Sequence, residues 1–252
     1  MNRLLLAAML ALFITQAEAL DFSTLKDAIK SAGDSSNSAS TNTTSGVNSL
    51  SADETSGGLK EALTQGVGKA VATLGVTDGF LGNKEVKIPL PKSLKKIEKG
   101  MKLLGMGKQS DELVLKMNRA AEAAVPEAKA LLVGSIKQMT LADAKSILTG
   151  PQDAATQYFK KTTSAQMSEK FLPIVTKATE NVQLASSYNK YAEMGSKFGI
   201  IKKEDANIEQ YVTNKTLDGV YLMIAKEEAA IRTNPLGQAS SLLKKVFGSL
   251  GK

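Results

Sequence analysis

Four polar side chains near the C-terminus have the spacing of a site that could do chemistry. They follow one another in steps of three, four and three, which places them on one face of a helix: Tyr211, Asn214, Asp218 and Tyr221. A carboxylate flanked by phenols can act as a general base, so one hypothesis is a hydrolase or lyase built on Asp218. The alternative is a buried hydrogen-bonded network, in which every polar group needs a partner.

A second candidate is the stretch QYFKKTTSAQ, residues 157–166. Thr163 with Gln166 three residues later has the form of a capping box, which predicts that one helix ends before Thr163 and the next begins there. The alternative is a polar pocket in which Tyr158, Thr162 and Thr163 bind a small ligand. The helix corner explains all of these residues without any ligand.

Arginine is rare in this chain, which has 29 lysines but only three arginines. One of them, Arg119, stands three residues before Glu122. Arginine donates from a planar fork that lysine cannot imitate, so this spacing predicts a bidentate ion pair that lysine could not form. A structural pair is the simplest interpretation, and a catalytic pair of Glu122 with Arg119 is the alternative.

The absence of histidine and cysteine excludes several chemistries. It excludes Ser-His-Asp and Cys-His catalysis, structural zinc, haem on His or Cys ligands and iron–sulfur clusters. Asp205, Asn207 and Glu209 have the alternate spacing of a calcium loop, but Gln210 stands where the sharp turn requires glycine. The sequence therefore predicts no cofactor and no metal, and it favours Asp205 as a helix N-cap.

The positive charge of the chain is concentrated between Lys84 and Lys108. Eight lysines and two acids there account for +6 of the net +7. Five of the lysines are the candidate binding residues: Lys92, Lys95, Lys96, Lys99 and Lys102. With an exposed loop at Ile88–Pro91 they could bind anionic lipid headgroups or an acidic polymer, although a merely solvated face is the alternative. Few aromatic residues are present to stack on bases, so nucleic acid is not an expected partner.

The first residues resemble an export signal. Arg3, an apolar run and the Ala-Glu-Ala ending at Ala19 form the charged, apolar and small-residue order of a signal peptide over residues 1–19. We predict cleavage after Ala19, a short amphipathic segment at 20–32 and a disordered Ser/Thr/Asn/Gly-rich linker at 33–58. No later segment is apolar enough to span a membrane, so the mature chain is expected to be soluble outside the cytoplasm.

From residue 59 to residue 250 the apolar spacing predicts a single all-α domain. Thr140 with Asp143 predicts a capping box, and Gly75 and Gly150 predict helix ends. A short irregular or extended loop is expected near residues 76–91, because its prolines disfavour helix. The remaining helices are expected at 152–161, 164–182, 184–195 and 206–232.

Several long motifs resemble one bacterial family. They include "TDGFLGNKEVKIPLPKSL", "MNRAAEAAVPEA", "DAATQYFKKTTSAQMSEKFLPIV" and "YVTNKTLDGVYLMIAKEEAAIR". In this order they resemble the domain of unknown function 4197, over about residues 59–247. The resemblance implies an exported, all-helical protein of Gram-negative bacteria and hence a periplasmic location, and it implies no activity.

The leading hypothesis is a non-enzymatic periplasmic binding protein that contacts an anionic envelope surface or another protein through residues 84–108. A histidine-free hydrolase or lyase is one alternative. A carrier with a small-molecule cavity between its helices is another.

Overall fold

The computed structural model describes residues 51–95, 107–197 and 207–234, together with the single positions 103, 105 and 199. These residues contain no strand, so the predicted all-α class is confirmed. The helices are α1 (Ala52–Leu74), α2 (Gly107–Ala124), α3 (Pro126–Gln138), α4 (Leu141–Thr149), α5 (Ala154–Thr179), α6 (Gln183–Lys197) and α7 (Ile208–Thr233). Residues 92–95 are also helical.

Helix α5 lies at the centre of the packing. Three of its side chains, Phe159, Met167 and Phe171, are large and fully buried. They belong to a stripe of buried residues that recur every fourth position: Ala155, Phe159, Thr163, Met167, Phe171, Val175 and Thr179. This stripe packs against α7, α2 and α3, while α1 packs against α7, α3 and α4. Burial of these aliphatic and aromatic side chains is the main stabilising contribution, since the chain has no cysteine to form a disulfide.

Helix α1 begins earlier than the sequence analysis predicts. Ser51 and Glu54 form a complete capping box, in which each side chain accepts from the other's backbone N–H at 2.9–3.1 Å. The predicted linker at 33–58 is therefore wrong over residues 52–58, which are helical. The predicted signal peptide, the segment 20–32 and linker residues 33–50 lie outside the described residues.

The helix corner predicted at Thr163 is also wrong, because α5 runs through it without interruption. The Thr163 hydroxyl donates to the Phe159 carbonyl at 2.7 Å, the bond that threonine makes within a helix. The same hydroxyl is 3.0 Å from the hydroxyl of Tyr221 on α7. Thr163 therefore contacts both helices from a position inside α5, and these contacts require no helix end there.

Other helix boundaries follow the local signals. Thr140 and Asp143 form the predicted capping box, and α1 and α4 end at Gly75 and Gly150. Pro126 occupies the first position of α3, where its missing N–H costs nothing.

At the start of α7 the side chain of Asn207 accepts from the backbone of Gln210, so Asn207 is the cap. The prediction of Asp205 as the cap is therefore wrong by two residues. Asp205 itself lies outside the described residues.

Candidate functional site

The basic region begins in a turn at residues 84–86 and continues as an extended segment, residues 87–91. From Val86 onward the side chains alternate: Val86, Ile88 and Leu90 are buried, whereas Lys87 and Pro89 are exposed. This period of two is what an extended chain gives when one side faces a core. The exposed Ile88–Pro91 loop expected from sequence is therefore wrong, since only Pro89 of those four residues is exposed.

The segment is fixed to α2 and α7 by polar contacts. The Asn118 side chain on α2 accepts from the Ile88 N–H at 2.8 Å and donates to the Ile88 carbonyl at 2.9 Å. The Tyr211 hydroxyl on α7 donates to the Pro89 carbonyl at 3.1 Å. Further along, the Ser93 and Tyr188 hydroxyls are 3.1 Å apart. The backbone that carries the lysines is thereby held in one position.

A close packing contact fixes the other end. Phe80 is fully buried, and its ring lies against Gly219 on α7. A Cβ at position 219 would come within 2.7 Å of the ring atom Cε1 of Phe80. Glycine is therefore required there for the approach of the ring, because any side chain would displace it.

Four exposed lysines project from this part of the chain, and we call them the lysine strip: Lys84, Lys87, Lys92 and Lys95. Within the described residues none of the four forms an ion pair. The intervening acid, Glu85, is paired with Lys226 of α7 and does not neutralise them. Of the other candidate binding lysines, Lys96, Lys99 and Lys102 lie outside the described residues.

Arg119 and Glu122 form an ion pair, with Arg119 Nη1 2.6 Å from Glu122 Oε2, but the predicted bidentate geometry is wrong. The second arm of the arginine fork reaches Asp78 at 2.8 Å instead of the same carboxylate. Hydrogen bonds to Glu122 and to Asp78 raise the pKa of Arg119 above its ordinary value. The other oxygen of Glu122 accepts the backbone N–H groups of Phe80 and Leu81 at 3.0 and 3.1 Å. The pair therefore anchors the loop that leads into the extended segment.

The candidate pocket of Tyr158, Thr162 and Thr163 has its hydroxyls bound on two different sides of α5. Tyr158 donates to the Ser135 carbonyl at 3.0 Å, and Thr162 lies 2.7 Å from the Ser135 hydroxyl. Both contacts join α5 to α3, whereas Thr163 bonds with Tyr221 on α7. The geometry supports a role in joining helices.

The structure does not bring the four polar residues of α7 together as a site. Tyr211 bonds with Pro89, and Tyr221 is buried against Thr163 and Ser164, each hydroxyl at 3.0 Å. Asp218 pairs with Lys215 at 2.9 Å, and 69% of its side-chain surface is exposed.

Asn214 accepts from Gln210 one turn earlier, at 2.9 Å. The Asp218 carboxylate is therefore not flanked by the phenols of Tyr211 and Tyr221. The hydrolase or lyase hypothesis thus lacks the arrangement of side chains that it requires.

Sequence reasoning missed a second buried glutamate, Glu228. Its two oxygens accept from the N–H groups of Ala155 and Thr156 at 3.0 and 2.9 Å and from the Thr156 hydroxyl at 2.8 Å. Arg232, one turn later, donates to the same carboxylate at 2.9 Å and to the Ile147 carbonyl at 2.8 Å. The spacing of four between Glu228 and Arg232 was the only signal in the sequence, and it did not reveal the contacts with α5.

Three further features bear on binding. Among the described residues, no group of three acidic side chains is placed to hold a metal ion, and no helix has the length and apolarity to cross a bilayer. An apolar groove, open to solvent, lies between the first turn of α1 and helix α4, and Leu141 and Leu148 contribute to its wall.

The family model described as "Protein of unknown function (DUF4197)" matches residues 49–248. The chain belongs to this family. The DUF4197 match begins three residues before α1 and includes every described helix, so the resemblance of the sequence motifs is confirmed. Neither the curated proteins nor the solved structures give a significant match to the chain. The function of this DUF4197 member is therefore argued from its own geometry.

Proposed function

We propose that this protein is a non-enzymatic binding protein of the bacterial envelope, which holds anionic, phosphate-bearing surfaces on the lysine strip. The N-terminal sequence, with its charged and apolar order, favours export and hence a place of action in the periplasm. The observation that carries the proposal is a set of exposed lysines that form no ion pair with any described residue, on a backbone that is held by hydrogen bonds to two helices.

The hydrogen bonds from Asn118 and Tyr211 distinguish the lysine strip from ordinary surface lysines, because they fix the backbone that carries it. Ile88 and Leu90 are turned into the core, so every outward position of the segment is free for charge or proline. Glu85, the acid nearest to the strip in sequence, is occupied by Lys226. Among the described residues, no acidic side chain forms an ion pair with the strip.

The buried apolar residues also define the kind of binding. The segment offers no apolar side chain outward between Lys84 and Lys92 other than Pro89, so attraction there is electrostatic. Each lysine near an anionic surface contributes about 1 kcal/mol, and the attraction falls off within about 8–10 Å at physiological salt. We expect weak, reversible binding that is lost as the salt concentration rises.

Charge reversal tests the proposal. The variant Lys87→Glu/Lys92→Glu/Lys95→Glu reverses three of the four lysines of the strip, and Lys129→Glu/Lys145→Glu/Lys170→Glu reverses three exposed lysines on α3, α4 and α5. Both variants lower the formal net charge from +7 to +1. In cosedimentation with phosphatidylglycerol vesicles, and in titrations with soluble polyphosphate, the strip variant should bind at least about 100-fold more weakly than the wild type.

The control variant should stay within a few-fold of the wild type, because it keeps the strip. Equal binding of the two variants would show that only net charge matters, and the proposal would then fail. Circular dichroism of both variants checks that the helices are retained.

A further inference from the structure

We infer that the anionic surface is a lipid bilayer and that the side chain of Leu103 enters it. The inference rests on the proposed function. Leu103 is 89% exposed, far more than the other exposed large hydrophobic residues of the described chain, the next of which is Val76 at 55%. A leucine with nearly its whole surface in water contributes almost nothing to the core, so its apolar surface remains available to a ligand.

The position of Leu103 along the chain links it to the strip. Leu103 is helical, and Gly105 two residues later has φ of 78°, the left-handed conformation that commonly ends a helix. Exposed lysines stand on both sides of it in sequence, Lys95 before and Lys108 after. An apolar residue at a helix end between lysines is the arrangement that anchors proteins at a membrane interface.

The combination of lysines with an exposed leucine distinguishes between two anionic ligands. Lysines and an exposed apolar side chain together match a lipid surface, where phosphates lie next to hydrocarbon. A soluble polyanion offers phosphates alone, so it would leave Leu103 in water.

The absence of tryptophan from the chain makes a direct experiment possible. The variant Leu103→Trp places a single reporter at this position, and Leu141→Trp places a matched reporter at another exposed leucine, 51% exposed, on α4. With phosphatidylglycerol vesicles the emission of the Leu103→Trp protein should shift to shorter wavelength, and lipids brominated on the acyl chain should quench it. The Leu141→Trp protein should show neither effect, and polyphosphate should shift neither protein.

The variant Leu103→Ser supplies the affinity measurement. It should bind vesicles about tenfold more weakly than the wild type, because it loses the apolar contribution of one leucine, and it should bind polyphosphate unchanged. If the strip-dependent protein binds vesicles while the Leu103→Trp emission stays unshifted and unquenched, the inference is overturned and the proposed function stands. Equal quenching of both reporters would also overturn it. If reversal of the strip has no effect on either ligand, the proposed function itself is overturned.

Discussion

Two buried glutamates, Glu122 and Glu228, make the same kind of contact in different parts of the molecule. Each accepts two consecutive backbone N–H groups from a distant segment, and each is paired with an arginine one turn away on its own helix. They are the only charged residues that are buried within the described chain. Their partners, Arg119 and Arg232, are the only arginines after residue 3, in a chain that otherwise uses lysine.

The two clusters differ in what they hold. Glu228 supplies the N-terminal cap of α5, because the side chain of the cap residue, Asp153, accepts from the Gln157 side chain and not from a backbone N–H of the first turn. Arg232 extends that cluster to the end of α4, so three helices meet there. Glu122 instead holds a loop, and its arginine also reaches Asp78, a loop residue with φ of 67° and an exposed side chain.

The difference shows where rigidity is required. The Glu228 cluster belongs to the core, where α5 packs against most of the other helices. The Glu122 cluster belongs to the segment that carries the lysine strip, and its exposed arm, Asp78, gains little from pairing in water. We therefore expect loss of Glu228 to affect the whole fold and loss of Glu122 to affect the loop more than the helices.

The largest effect is expected for Glu228→Ala. It leaves two N–H groups of α5 without acceptors and Arg232 without its carboxylate, so the free energy of unfolding should fall by about 3–5 kcal/mol. Urea denaturation followed by circular dichroism measures the change. Glu193→Ala removes an exposed glutamate with the same i,i+4 pairing and should change the free energy of unfolding little. A similar result for the two variants would contradict the capping role.

A smaller and more local effect is expected for Glu122→Ala. The N–H groups of Phe80 and Leu81 lose their acceptor, which should lower the free energy of unfolding by about 2–3 kcal/mol. Hydrogen exchange of residues 78–91 should accelerate, while exchange in α5 should follow only the global change. Uniform acceleration of hydrogen exchange along the chain would contradict a local role for Glu122.

Gly219→Ala tests the same loop through packing instead of hydrogen bonding. The new methyl group collides with the Phe80 ring, so we expect a loss of about 1–2 kcal/mol. Gly134→Ala on α3 is the control, because a Cβ there meets no neighbour, and it should stabilise the protein by up to about 1 kcal/mol through helix propensity. Opposite signs of the two changes are the expected thermal-denaturation result, and a shared sign would contradict the close contact at Gly219.

The smallest effect is expected at the local cap of α4, which contrasts with the distant cap of α5. Hydrogen bonds from the backbone and hydroxyl of Thr140 lower the pKa of Asp143. A lowered folded-state pKa means that the Asp143 carboxylate stabilises the fold above its unfolded pKa and that this stabilisation is lost as the pH falls through its folded pKa. Asp143→Asn should therefore be less stable than the wild type at neutral pH, and the difference should shrink in acid. A difference that is constant with pH would contradict this assignment.

The sequence revealed the local features and missed the distant ones. The capping box of Thr140 and Asp143 and the pair of Arg119 with Glu122 span three residues each, so their spacing carries the information. The contacts of Glu228 with α5 join residues 72 and 73 positions apart, and no local pattern encodes them.

The corner predicted at Thr163 failed for a different reason. A threonine followed by glutamine three residues later fits both a capping box and a helix interior in which the hydroxyl bonds to the preceding turn. The packing of Thr163 against Tyr221 decides between them, and it is a tertiary contact. The alternation of apolar residues over 86–90 indicates burial of Ile88, whereas Pro89 and Pro91 favour a loop, and the pattern alone does not decide whether that loop is exposed.

The side-chain amide of Asn118 has a consequence for solubility. It takes the place that a neighbouring strand would occupy, since it satisfies both the N–H and the carbonyl of Ile88. Pro89 and Pro91 have no N–H to offer, and the outward position at 87 is a lysine. The protein thus carries a stretch of chain whose backbone offers few hydrogen-bonding groups to an added strand, which disfavours edge-to-edge aggregation at this point.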